Sequence, residues 1–229
     1  MKTIGLIGGM SWESTAHYYR ILNEETARRL GGFHSAPILL QSLDFAPIEE
    51  LQRTGKWDEA GAILAASAKR LEAAGAAVIG LATNTMHIVA GQVMDGIGIP
   101  FIHIADPTAE ALTAKGFRQV GLLGTRFTME MSFYKDRLKA RGLDVLVPDE
   151  EVPALNAIIY DELCHGIVRD ISRQVFVKSI RRLAERGAQT VVLGCTEIGM
   201  LIDETSSPLP VFDTTDLHAK ALVAAALEG

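Results

Sequence analysis

The chain has 229 residues, of which 48% are hydrophobic and 22% charged, and it carries a formal net charge of -6. That much apolar material can form a sizeable core in one body or two small domains, and the negative balance excludes nucleic acid or an anionic membrane as the main electrostatic partner. No run approaches the roughly 18 uninterrupted apolar residues of a membrane helix. The opening "MKTIGLIGGMSWEST" is too short in apolar residues for a secretory leader. Two cysteines, Cys164 and Cys195, without metal-ligand spacing read as reduced thiols of a cytoplasmic protein.

In chain order, apolar or β-branched runs are predicted as buried parallel strands at Thr3 to Ile7, Pro37 to Leu43, Ala77 to Ala82 and Phe101 to Ile104. Helical patterns lie between them. In "WDEAGAILAASAKRLEAAG", Asp58 is expected to cap the helix and Gly75 to stop it. The second half repeats this βαβ grammar with strands "QVGLLG", "LDVLV", "TVVLG" and "PVF", a long helix from Ser172 to Arg186, and a closing helix from Thr214.

The repetition holds residue by residue. "KRLEAAGAAVIGLATNT" (Lys69 to Thr85) aligns without gaps on "RRLAERGAQTVVLGCTE" (Arg181 to Glu197), and "IPFIHIADPTAEAL" (Ile99 to Leu112) on "LPVFDTTDLHAKAL" (Leu209 to Leu222). The first strands, "IGLIGG" and "VGLLGT", also correspond. Three matched segments in one order predict an internal duplication: two similar α/β domains, 1–106 and 107–212, related by a pseudo-two-fold axis, with a helix over 213–229 able to pack on the first.

Loops at the carboxyl ends of strands form the ligand site of an open parallel sheet. Thr83 and Cys195 occupy that point in equivalent strands, each expected to precede a helix N-terminus. Facing halves would bring them to opposite walls of one cleft between the domains, with helix-start N–H donors that favour anions. Two opposed acid/base groups are what stereoinversion requires, since one face of a carbon loses a proton while the other gains one.

The segments "GLIGGMSWEST", "ATNTMH" and "GCTEI" resemble those of the cofactor-independent aspartate/glutamate racemase family, and the resemblance spans essentially the whole chain. It implies two pseudo-symmetric flavodoxin-like domains, a homodimer, an amino-acid substrate, no cofactor, and two cysteines as acid and base at Cα. Cys195 matches the second-domain cysteine; position 83 matches the first-domain cysteine but is threonine. A thiol titrates near about 8.5, and nearby donors with a helix start are expected to lower that for Cys195. A threonine hydroxyl passes a proton on but abstracts one poorly. The resemblance to threonine-bearing members then implies a kinetic preference for the L enantiomer. Two alternatives stand beside it: a one-cysteine lyase or isomerase of the wider superfamily, such as an arylmalonate decarboxylase, and a non-catalytic amino-acid-binding module.

Asn84, Thr85 and Thr196 are candidate donors to the substrate α-carboxylate, or caps of the turns that follow. Glu197 could orient a neighbour, contact the substrate ammonium, or favour the helix start. Met10 and Ser11 are substrate-loop candidates by resemblance, or a tight turn; the spacing there is not GxGxxG, so Asp44 supports a dinucleotide site only weakly. For the distal carboxylate, resemblance favours Gln52 over the neighbouring Arg53, and Thr125 and Thr128 are binders or caps. Members specific for aspartate often carry a basic residue near "DELCHGI", where Cys164 and His165 stand; Cys164 reads as a small buried hydrophobe on a helix, and looser acceptance of aspartate and glutamate follows. His87 could tune the site but reads more readily as structural, and His17, His34 and His103 lack partners at diagnostic spacing.

Overall fold

The computed structural model describes residues 1–228, which divide into two compact units: residues 1–104 with 218–228, and residues 105–217. It is an α/β protein with two parallel sheets flanked by helices. No helix among the described residues is long and apolar enough to cross a membrane.

The first unit runs β1 (Ile4–Gly8), α1 (Trp12–Leu30), β2 (Ile38–Ser42), α2 (Phe45–Arg53), α3 (Trp57–Ala73), β3 (Val78–Leu81), a 3-10 turn (Thr85–Val89) and α4 (Ala90–Met94). Its sheet order is β2-β1-β3, extended by a single parallel bridge from Ile79 to Phe101. Successive strand residues face opposite sides. Ile4, Leu6 and Val78 pack with Tyr18 and Leu22 of α1, while Ile7, Ile79 and Leu81 pack with Leu64, Ala68 and Leu71 of α3.

The second unit begins with α5 (Ala105–Ala114) and continues through β4 (Gln119–Gly124), α6 (Arg126–Glu130), α7 (Ser132–Lys139), β5 (Asp144–Leu146), α8 (Val152–Asp161), α9 (Asp170–Glu185), β6 (Thr190–Gly194) and β7 (Val211–Asp213). In the order β5-β4-β6-β7 the first three strands repeat β2-β1-β3, and β7 stands where the first unit has only the Phe101 bridge. Both sheets place the switch point between the first and third strands, where an open α/β sheet binds ligands. The helix-to-strand corners match as well: Gly75 and Gly187 adopt φ of 98° and 100°, a left-handed conformation that side chains resist.

The helix that closes each repeat does not stay with the strands it follows. α5 packs in the second unit, tied to α7 by a bidentate Asp106–Arg137 ion pair at 2.7 and 2.8 Å. The final helix α10 (Thr214–Leu227) belongs from His218 onward to the first unit, where Ala219, Leu222 and Val223 cover Ile4, Leu6 and Val78.

Two local expectations differ from the structure. The 101–104 segment makes one bridge instead of a strand, because the backbone groups a ladder would use are taken by side chains: His218 Nε2 binds Ile102 O at 2.8 Å and the Ile104 N–H reaches His87 Nε2 at 3.2 Å. Asp58 lies inside the first turn of α3, where it accepts a bond from Gln92 Nε2 at 3.0 Å; Lys56 is the N-cap and makes no capping bond with its side chain.

A Cβ built on Gly80 would stand 2.5 Å from Leu222 Cδ1, so the Leu222 side chain of α10 occupies the space that glycine leaves on β3. Gly80→Ala is expected to cost about 1–3 kcal/mol in urea unfolding. Combined with Leu222→Ala it should cost less than the sum of the single changes, and simple additivity would contradict this packing.

Candidate functional site

In the first unit the loop after β1 is built around Thr15. Its Oγ1 accepts the Gly9 N–H at 2.8 Å and donates to Ser11 O at 2.9 Å, and a Cβ on Gly8 would strike it at 2.6 Å. Gly9, at φ 91°, passes so close to Leu43 that a side chain would meet its carbonyl at 2.1 Å. Ser11 caps α1 by accepting the Ser14 N–H, and Met10 and Ser11 are both buried. Ser11 is therefore the cap of α1, whatever else it contacts.

Just beyond the end of the adjacent β3 come Thr83, Asn84 and Thr85, all buried. The expected helix start there is a five-residue 3-10 turn, and Asn84 makes no side-chain capping bond to it. Gln52, in the last turn of α2, points its Nε2 at Met86 Sδ, 3.0 Å away, and Met10 packs in the same cluster as Met86. The first unit thus gathers Met10, Ser11, Gln52, Thr83, Asn84 and Thr85 at one end of its sheet. Arg53 instead pairs with Glu50 on the exposed side of α2. Asp44 is the N-cap of α2, accepting the Ala46 N–H at 3.2 Å, which gives it a structural post in place of a ribose contact.

In the second unit, β4 and β6 run side by side to a glycine pair, Gly124 and Gly194, where each missing Cβ would lie within 3 Å of the other strand's backbone. The next residues are Thr125 and Cys195. Thr125 caps α6 by accepting the Thr128 N–H at 3.3 Å. Thr214 Oγ1 donates to Leu193 O at 2.8 Å and anchors the strand two residues before the thiol. Cys195, Thr196 and Glu197 are all buried, and Glu197 Oε2 receives both the Cys195 thiol, at 2.9 Å, and the Thr196 hydroxyl, at 2.8 Å. Glu197 orients the thiol.

This geometry corrects the expected activation of Cys195. Burial pushes the thiol well above its ordinary range, and the negative Glu197 carboxylate beside it pushes the same way. The helix start that was to oppose this is a three-residue turn, Ile198–Met200, too short to sum a useful dipole. At rest the site holds a thiol donating to a carboxylate. That hydrogen bond is the contact through which the thiol proton could leave the sulphur.

Cys164 lies half-buried on the 3-10 turn Leu163–His165 rather than on an α-helix, packed against the cluster that contains Cys195; the two form no disulfide. His165 is exposed, as is His34, and His17 contacts Arg20. The sequence raised His87 as a possible tuner of the site but gave no sign of the supporting roles of Thr15 and Thr214. Thr15 sits within "GGMSWEST" but hydroxyl bonding to a loop four to six residues back has no compositional signature.

Fold and site define an α/β protein with a duplicated sheet, a buried threonine and a buried cysteine at equivalent strand ends, and a carboxylate beside the thiol. The model of the Asp/Glu/Hydantoin racemase family matches residues 7–222, and the chain belongs to that family. Among similar structures, one described as "a putative Asp/Glu Racemase from Yersinia pestis" is 47% identical with a TM-score of 0.92, covering 100% of both chains. An aspartate racemase homologue from Pyrococcus horikoshii is 36% identical with a TM-score of 0.86, also over 100% of both. The broad specificity amino-acid racemase RacX of Bacillus subtilis is 22% identical over 221 residues, 96% of each chain.

Because the Glu197 charge opposes thiolate formation, Glu197→Gln should lower the pH at which Cys195 is alkylated by iodoacetamide, by about one unit or more. Measured in a Cys164→Ser background so that one thiol reacts, an unchanged or higher titration would contradict the assigned pair.

Proposed function

We propose that the protein is a cofactor-independent racemase of aspartate, glutamate or both, with Cys195 and Thr83 acting on opposite faces of Cα and the L enantiomer deprotonated faster. The observation that carries this reading is the Cys195–Glu197 pair at the same place in its repeat that Thr83 holds in the other. Family membership and the aspartate racemase homologue support the substrate class, and the broad specificity relative supports relaxed choice between the two acids.

The steps balance as follows. The resting thiol passes its proton to Glu197, and the thiolate takes Cα–H from the L substrate. The carbanion takes a proton from the Thr83 hydroxyl on the other face. The proton left on Glu197 then returns to Thr83 through solvent, which restores both groups. The reverse direction needs Thr83 to abstract, and an alcohol yields its own proton far less readily than a thiol does. Both directions share one equilibrium, so the asymmetry is kinetic only. Main-chain N–H groups around Asn84, Thr85, Thr196 and Glu197 would hold the α-carboxylate and charge developing beside it, as preorganised donors do. Met10, Ser11, Gln52 and Thr125 form the remaining walls in this reading. Its working form is taken as a homodimer, as the family resemblance implies, and as cytoplasmic on the reading of its two cysteines as reduced thiols.

The test is Cα deuterium incorporation for both enantiomers of both amino acids. Wild type should exchange the L forms faster. Cys195→Ser should lose about 10²–10⁴-fold of that exchange, the usual contribution of a positioned acid/base group, and Thr83→Cys should raise exchange of the D forms. Equal exchange from both hands in wild type, or full-rate exchange in Cys195→Ser, contradicts the assignment.

A further inference from the structure

His87 follows Thr83 by one turn and is buried. Its Nδ1 lies 2.8 Å from the Thr83 carbonyl oxygen, and its Nε2 lies 3.2 Å from the Ile104 amide nitrogen. A carbonyl can only accept and an amide N–H can only donate, so Nδ1 must carry the proton and Nε2 must offer its lone pair. The two contacts are satisfied together by one form alone, the neutral Nδ1–H tautomer.

The ring is held from outside by further defined contacts. His103 meets it edge-on at 4.5 Å between centroids, with Phe101 at 5.6 Å and His218 at 5.9 Å. His218 is itself fixed: Nε2–H donates to Ile102 O at 2.8 Å, which leaves Nδ1 to accept the Tyr18 hydroxyl, also at 2.8 Å. α1, α10 and the 101–104 segment therefore all contribute to the cage around His87, and the bond that leaves the cage ends on the carbonyl of Thr83.

We infer that His87 is a positioning residue for Thr83, fixing the peptide that carries the hydroxyl so that its proton is aimed at the carbon. The inference rests on the racemase reading, in which Thr83 reprotonates the carbanion. His87 touches no reacting atom, so its loss should fall on one half of the reaction. Removal of Cα–H by Cys195 and its return from the same side need Cys195 and Glu197 but not Thr83. Inversion needs Thr83 in place, and a displacement of about 1 Å can cost about 100-fold.

The experiment follows an L substrate in deuterium oxide and separates exchange with retention from exchange with inversion. His87→Gln can reach Ile104 but loses the bond to Thr83; His87→Asn places an amide N–H where Nδ1 stood and loses the other contact. The ratio of inversion to retention is expected to fall about tenfold or more in His87→Gln and to stay within about twofold of wild type in His87→Asn. An unchanged ratio in His87→Gln, or equal falls in both variants, overturns the positioning role. If wild type exchanges neither hand, the racemase reading fails and this inference with it; if wild type inverts normally and only the variant prediction fails, the racemase reading stands. Should His87→Gln not fold, ¹⁵N chemical shifts of histidine-labelled wild type decide: the Nδ1–H tautomer is expected at His87, and an Nε2–H or doubly protonated ring overturns the inference.

Discussion

The chemistry turns on one short contact, the Cys195 thiol donating to the Glu197 carboxylate inside a buried turn. Burial and the neighbouring carboxylate both disfavour a thiolate there, so the sulphur is held in its protonated form. In the proposed mechanism the thiol becomes a base when its proton crosses this hydrogen bond to Glu197. The remaining architecture can be understood as what puts this contact at a strand end and keeps it dry.

Duplication supplies that setting twice and then diverges. The first three strands of each sheet have the same order, with the same glycine corner before the third, so positions 83 and 195 are delivered by equivalent backbone. The supports behind them differ. At Cys195, Thr214 binds the strand and Glu197 binds the thiol. At Thr83, a histidine ring binds the backbone carbonyl and is braced by residues of α1 and α10. The asymmetry of residue type is thus matched by an asymmetry of support, with a proton-holding pair on one side and a backbone clamp on the other.

Much of this was legible in the sequence because its signals are local. The phrase of amphipathic helix, glycine and apolar strand occurs twice without gaps, and each repeat folds as written, down to the positive φ of Gly75 and Gly187. The parallel strands at 4–8 and 78–81 follow from buried apolar runs, whereas the strand at 38–42, expected to be buried, carries Gln41 and Ser42 and lies part-exposed at the sheet edge. What escaped depended on contacts distant in the chain or on the form of a turn. The 101–104 run has strand composition, but histidines from positions 87 and 218 take its backbone groups. Asp58 has the chemistry of a cap, yet the helix begins one residue earlier and leaves it inside the first turn. The thiol was expected to be activated by a helix start; the turn after Cys195 is three residues long, and its neighbouring acid faces the sulphur. Gathering Met10, Gln52 and Thr83 at one sheet end could be anticipated from topology, whereas the Thr15 clamp on that loop could not.

The most direct measurement is the ultraviolet absorbance of thiolate, taken as wild type minus Cys195→Ser and titrated from neutral to alkaline pH. A thiol held protonated by burial and by the Glu197 carboxylate predicts no thiolate at neutral pH in the resting protein, with the signal rising only on the alkaline side of the ordinary cysteine range. A thiolate already formed at neutral pH would contradict that environment and with it the proposed account of how this site makes its base.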